Sequence, residues 1–131
     1  MSMTDPIADM LTRLRNAAAA KHDKIELAAS KMKVAIVELL RQKGFIDSYR
    51  LVRDKEFDVL KIILKYNNKC PMLLGVKRLS KPGRRLYCSY DKIPRIKNGV
   101  GMVIVSTSKG LLTDSQAREK KLGGELICSV W

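Results

Sequence analysis

Before residue 66 the apolar residues of this chain change their spacing three times, a pattern that calls for helices layered on a small sheet. Ile7, Met10, Leu11 and Leu14 recur at helical intervals, so residues 6–20 are expected to form a helix. Thr4 or Asp5 can cap it, and Pro6 suits its first turn. Ile25 and Leu27 then alternate with Glu26, which predicts a short strand over Lys24–Ala28. Ser30 caps a second helix that runs to Lys43 and stops at Gly44, a residue at ease in a left-handed terminus. Two strands follow, near Phe45–Arg53 and Phe57–Tyr66, joined by a tight charged turn at Asp54–Glu56. The order is α-β-α-β-β.

The polar, Pro-containing stretch Tyr66–Pro71 reads as a boundary, so an N-terminal α/β domain is expected over 1–66 and a C-terminal β-rich domain over 72–131. The second half predicts strands at Leu73–Leu79, Arg85–Tyr90, Met102–Thr107 and Leu126–Val130, with a turn at Lys81-Pro82-Gly83. Thr113-Asp114-Ser115-Gln116 is a capping box opening a short helix, which Gly123-Gly124 should close. The fold class is α+β, in two small domains.

Charge narrows the partner. The chain carries 26 Lys or Arg against 13 Asp or Glu, a net of +13 over 131 residues. Such an excess repels itself unless a polyanion relieves it, which points to nucleic acid or an anionic membrane. Residues 1–65 hold 13 basic and 9 acidic groups, whereas residues 66–131 hold 13 and 4. Eight basic residues lie between Lys77 and Lys97 with Asp91 as the single acid, so the polyanion should lean on the C-terminal half. A membrane binder would need a basic helix with bulky apolar residues exposed opposite its charges. The helices here have apolar faces suited to a core, and an aromatic content of 5% offers few interfacial anchors. Met1–Ala20 has no apolar stretch of signal-peptide length, and no run approaches a membrane span, so a soluble intracellular protein is expected.

Catalysis finds little support. Cys70, Cys88 and Cys128 are odd in number, far apart and without a nearby His, so neither a zinc site nor a disulfide framework is expected, and the thiols should be reduced and mostly packed. The single histidine, His22, lies beside Asp23, but no nucleophile is placed near the pair. Gly99-Val100-Gly101 begins like a dinucleotide fingerprint, yet Ile104 takes the third glycine's place and a strand follows. No metal, cofactor or enzyme activity is expected. An RNA-cleaving enzyme, the rival class, would cut a labelled stem.

Three features suit RNA. Duplex RNA offers its wide minor groove, its 2′-hydroxyls and its irregular loops, which favour short hydroxyl side chains on a thin loop. Ser106-Thr107-Ser108-Lys109-Gly110 has that make-up, with one cation for a phosphate and a glycine for close approach; the same residues also suit a plain hairpin turn. Lys77-Arg78, Lys81, Arg84 and Arg85 can neutralise phosphates, and Tyr87 or Tyr90 can stack on a base or complete the core. Ser30-Lys31-Met32-Lys33 offers a helix N-terminus with a hydroxyl and two lysines, or simply a capped surface helix.

Together the motifs resemble a known family. The run Gly99–Gly110, then Thr113-Asp114, Ala117-Arg118 and Gly123-Gly124-Glu125, resembles the C-terminal signature of the bacterial small-subunit ribosomal protein eight family. Asp5–Asn16 is similar to that family's opening helix, and Ser30–Lys33 and Lys81-Pro82-Gly83 also fit. The resemblance covers the chain in order, departing only at the variable stretch Asn67–Leu74 and the terminal Trp131. It implies a two-domain α+β protein of the ribosome, cytoplasmic or organellar, that binds the central domain of small-subunit ribosomal RNA early in assembly. It implies ribosomal-protein neighbours too and, in some bacteria, repression of the protein's own messenger. Carried across, Ser106, Thr107, Ser108 and Lys109 enter the minor groove of an irregular stem, with Gly124, Glu125 and Tyr87 beside them. Thr4, Asp5, Arg13, Asn16, Ser30, Lys31 and Lys33 would touch backbone or neighbouring RNA.

Overall fold

The computed structural model describes residues 5–53, 55–97 and 100–131, so Thr4 and the first residue of the expected 54–56 turn lie outside the described residues. The chain is α+β. Its described residues form two compact units: Asp5–Ala8 with Gly75–Trp131, and Asp9–Leu74.

In the Asp9–Leu74 unit the sheet orders β1 (Lys24–Ala28), β3 (Asp58–Leu64) and β2 (Ile46–Arg53), all antiparallel with β3 central. Leu60, Ile62 and Leu64 of β3 are buried, whereas Ile63 between them is exposed, so one face meets the core. Leu27 and Leu51 flank Leu60 in register, and Ile25 and Tyr49 flank Ile62. Helix α1 (Pro6–Ala19) begins in the other unit and continues into this one from Asp9; its Ile7, Met10, Leu11 and Leu14 are all buried. Helix α2 (Lys31–Gln42) starts on Ser30, whose hydroxyl accepts the Lys33 N–H, and buries Ile36, Val37 and Leu40. It stops where Gly44 takes φ +80. The 66–71 stretch makes a two-residue hairpin, β4 (Tyr66–Asn67) on β5 (Cys70–Pro71).

The other unit centres on β10 (Gly124–Val130), in the sheet order β6 (Val76–Arg78), β10, β8 (Met102–Thr107), β9 (Gly110–Thr113). Strand β7 (Tyr87–Cys88) pairs with β10 beyond the end of β6, so one edge of β10 is covered in two pieces. The expected strands over 73–79 and 85–90 are therefore shorter, and Tyr90–Lys92 is a single 3₁₀ turn. Helix α3 (Asp114–Lys120) opens on the expected capping box: Thr113 Oγ1 accepts the Gln116 N–H, and Gln116 accepts that of Thr113. Its Ala117 joins Val103, Val105, Leu112, Leu126 and Ile93 in a cluster on one sheet face. Lys121, at φ 56 and ψ 44, ends the helix instead of the glycine pair. Gly123 and Gly124 serve close approach: a Cβ on Gly124 would sit 1.9 Å from the Ser106 carbonyl oxygen, and one on Gly123 2.4 Å from that of Cys88. Trp131 exchanges two 3.0 Å backbone hydrogen bonds with Gly75, over which its indole lies too close for any Cβ.

Among the described residues no helix is long and apolar enough to cross a membrane. The thiols are free, but they are less uniformly packed than expected: Cys128 is buried, Cys88 half-buried and Cys70 exposed, on the two-residue strand β5. Burial pushes the Cys128 thiol up to about 12, against the pull of Arg78. Alkylation at pH 8 should modify Cys70 in the native protein and spare Cys128 until denaturant is added, as mass spectrometry would show. Above pH 9 an unfolded Cys128 loses its proton while the folded one keeps it, so this thiol's contribution to stability declines as pH climbs towards about 12.

Candidate nucleic-acid interface

The register of β10 builds the first part of the site. Glu125 stands opposite Tyr87 on one side and Ser106 on the other, so the three share a row across three strands. A bulge follows at once: Leu126 pairs with Val105, but Cys128 pairs with Ile104, leaving Ile127 as the extra residue. Before the bulge the strands alternate, so Leu126 faces the Ala117 cluster while Glu125 and Ser106 face the other way. Tyr87 ends the row with 70% of its surface exposed, which fits it for stacking rather than for the core. Tyr90 is only marginally exposed.

The hydroxyl-rich pentapeptide is a hairpin, and its residues divide by role. Thr107 pairs with Gly110, leaving Ser108 and Lys109 as the exposed turn. Thr107 Oγ1 donates to the Gly110 carbonyl at 2.8 Å and accepts the Lys109 N–H at 3.1 Å, so this hydroxyl holds the turn. Gly110 takes φ +97 with open space around it; within the chain it serves the turn's conformation rather than a close contact. The side chains of Ser106, Ser108 and Lys109 have no hydrogen-bond partner among the described residues, which leaves them for a ligand.

Cations supply the third part. Between β6 and β7 the chain leaves the sheet as a loop whose tip, Lys81-Pro82-Gly83-Arg84, closes through reciprocal 2.9 Å backbone hydrogen bonds between Lys81 and Arg84. Lys81, Arg84 and Arg85 are exposed. The buried Ser80 ties the loop's neck: its hydroxyl accepts the Leu86 N–H at 3.1 Å and donates to Glu125 Oε2, which Arg85 also meets at 3.1 Å. Sequence reasoning missed Ser80, since a single serine before a basic run gives no sign of being buried. Arg78, expected among the phosphate-binding cations, does not belong with them. In the structure Arg78 is largely buried, bonded to Asp5 at 3.0 Å and to the Ile127 carbonyl at 2.7 Å.

The N-terminal candidates are mixed. Asp5 pairs with Arg78 and accepts the Ala8 N–H at 3.2 Å, so its carboxylate caps α1 and anchors a strand. Lys33 is buried, with its ammonium on the Ala28 carbonyl at 2.9 Å. Arg13 donates one bond to the Glu26 carbonyl at 3.1 Å and otherwise lies exposed. Asn16, Ser30 and Lys31 are exposed, although the Ser30 hydroxyl serves its helix cap. Thr4 lies outside the described residues.

Exposed His22 sits in the turn after α1, and among the described residues no three His, Cys, Asp or Glu side chains gather as a metal site would require. A basic α+β chain with a hydroxyl-tipped hairpin, an exposed tyrosine and a pinned cationic loop fits the class of small proteins that bind a polyanion. The comparisons specify which: the chain belongs to the ribosomal protein S8 family, whose model matches residues 5–131. It is 53% identical to the small ribosomal subunit protein uS8 of Geotalea uraniireducens over the full length of both chains. The protein of that name from Desulforamulus reducens is 54% identical over the full length of both, and that from Kosmotoga olearia 49% over 98% of each. A ribosomal protein of this family is a structural component, not an enzyme.

Proposed function

We propose that this chain, a structural protein of the small ribosomal subunit, holds its place in the ribosome by binding the central domain of small-subunit ribosomal RNA. The contact runs through residues 72–131, as the RNA-binding domain, and it helps that RNA region assemble. The observation that carries the reading is the Tyr87–Glu125–Ser106 row, flanked in sequence by the free Ser108 and Lys109 and by the exposed Lys81, Arg84 and Arg85. Hydroxyls and a carboxylate discriminate 2′-OH and base-edge patterns, a tyrosine stacks on any base, and the cations meet phosphates without regard to sequence. Arg13, Asn16, Ser30 and Lys31 remain available for RNA backbone on the Asp9–Leu74 unit. Other small-subunit proteins are its neighbours, and its place is the ribosome in the cytoplasm. A messenger segment folding into the same irregular stem would compete for the same row, which is how the chain would repress its own translation.

Sequencing RNA crosslinked to the protein in its native cell tests this directly. Crosslinks should concentrate on one irregular stem of the central domain; a scatter over unrelated RNA would overturn the proposal. Affinity for that stem should also fall steeply with salt, log K dropping by about 0.9 per neutralised phosphate. Replacing Lys81 and Arg84 by Ala should flatten the slope by roughly one to two. Arg78→Gln should leave the slope alone and lower stability instead, since its charge is already paired with Asp5.

A further inference from the structure

We infer that Ser80 is a positioning residue for RNA discrimination: without touching RNA, it latches the Lys81–Arg85 loop onto Glu125 and so fixes the cations beside the reading row. This rests on the proposed RNA-binding role and adds a residue to it.

The latch follows from how the edge of β10 is broken. Strand β6 covers residues 128–130 of β10 and β7 covers 124–125, so the chain between them must leave the sheet and return at Leu126. Both feet of the loop bond there: the Ser80 N–H donates to the Leu126 carbonyl, and the Leu126 N–H donates to that of Leu86, each at 2.9 Å. With both feet on one residue, the Leu86 N–H is left to a side chain, and Ser80 Oγ accepts it at 3.1 Å. The hydroxyl's own proton goes to Glu125 Oε2, the oxygen that also receives Arg85 Nη1. Ser80 is fully buried, so no water replaces these bonds when the hydroxyl is removed. The bonded oxygen belongs to the middle residue of the row, between Tyr87 and Ser106. Loop placement and the aim of the Glu125 carboxylate therefore depend on one hydroxyl.

Losing the latch leaves every cation in place as a charge but no longer in place as a position. General attraction to phosphate should survive, and preference for a particular shape should not. The test uses the full chain and two RNAs: an irregular stem from the central domain, and a fully paired random duplex of equal length. Ser80→Ala, which removes both hydrogen bonds of the hydroxyl and leaves their partners unmatched, should lower affinity for the stem roughly tenfold, while duplex affinity and salt slope stay as they were. Hydrogen exchange at the Leu86 amide should quicken in the same variant. Glu125→Ala, which removes the acceptor, should also weaken stem binding without reducing duplex binding, and Ser80→Ala with Glu125→Ala should lose little more than Glu125→Ala alone, because the two act as one unit. Ser80→Cys, close in volume, replaces the alanine variant should that one not fold. Losses that add, equal losses on both RNAs, or an undiminished preference for the stem would each overturn the latch. A wild-type chain with no such preference would instead remove the RNA-reading role beneath it, and the latch with it.

Discussion

Asp114→Ala should cost the protein roughly 3–5 kcal/mol of stability, the largest effect expected of any single substitution considered for it. Asp114 is buried at the first position of α3. One carboxylate oxygen accepts the Val103 N–H at 3.2 Å, and the other meets Arg118 Nη1 at 2.8 Å. Arg118 Nη2 in turn donates to the carbonyls of Ile93 and Pro94, each at 3.1 Å, which ties the segment holding the core residue Ile93 to the helix. Removing the carboxylate strands a largely buried guanidinium and a strand N–H together. Set against the 5–15 kcal/mol typical of a folded domain, that is a large fraction, and the melting temperature should drop by about ten degrees or more. Asp114→Asn keeps an acceptor for Val103 and should lose about half as much. In Arg118→Ala background, Asp114→Ala should cost far less than it does alone, because the guanidinium it would strand is gone. Denaturant unfolding of the four variants measures that coupling, and additive losses would contradict the pairing.

The elements legible in the sequence are those whose covering is one-sided. The Ile7–Leu14 stripe and the Ser30–Gly44 helix are each buried along one face, so their period survives in the residues and their ends carry caps. Strand β3 likewise alternates. Strand β10 does not, since Leu126 through Val130 are all buried and the Ile127 bulge shifts the phase midway. A bulge leaves no residue signature, so the row that places Glu125 between Tyr87 and Ser106 could not be read from spacing. The Gly123-Gly124 pair shows the same limit from another side. Glycines after a helix suggest a terminator, yet what demands Gly124 is a carbonyl from a strand about 18 positions earlier, a tertiary fact. Charge was equally ambiguous: Arg78 and Arg84 look alike in sequence, but one is buried on Asp5 and the other stands in solvent.

That division of roles makes the hairpin tip the sharpest place to separate specificity from general affinity. Replacing Ser106 and Ser108 by Ala removes two hydroxyls that hold nothing in the described fold, and it leaves the net charge at +13. A neutral hydrogen bond lost on binding is worth about 0.5–1.5 kcal/mol, and more where an RNA group stays buried and unpaired. The double variant should therefore bind its central-domain stem on the order of tenfold to a hundredfold more weakly, with little change on random duplex. Its melting temperature and circular dichroism should match the parent. Thr107→Val supplies the contrast, since Thr107 Oγ1 bridges the Gly110 carbonyl and the Lys109 N–H. That change should destabilise the turn itself and lower stability measurably, by about 1 kcal/mol, as well as weakening the stem complex. Should the Ser106/Ser108 variant lose stem and duplex equally with its fold intact, the hairpin is scaffold and the discrimination lies elsewhere. A selective loss with an unchanged melting temperature assigns the reading of RNA shape to these two hydroxyls.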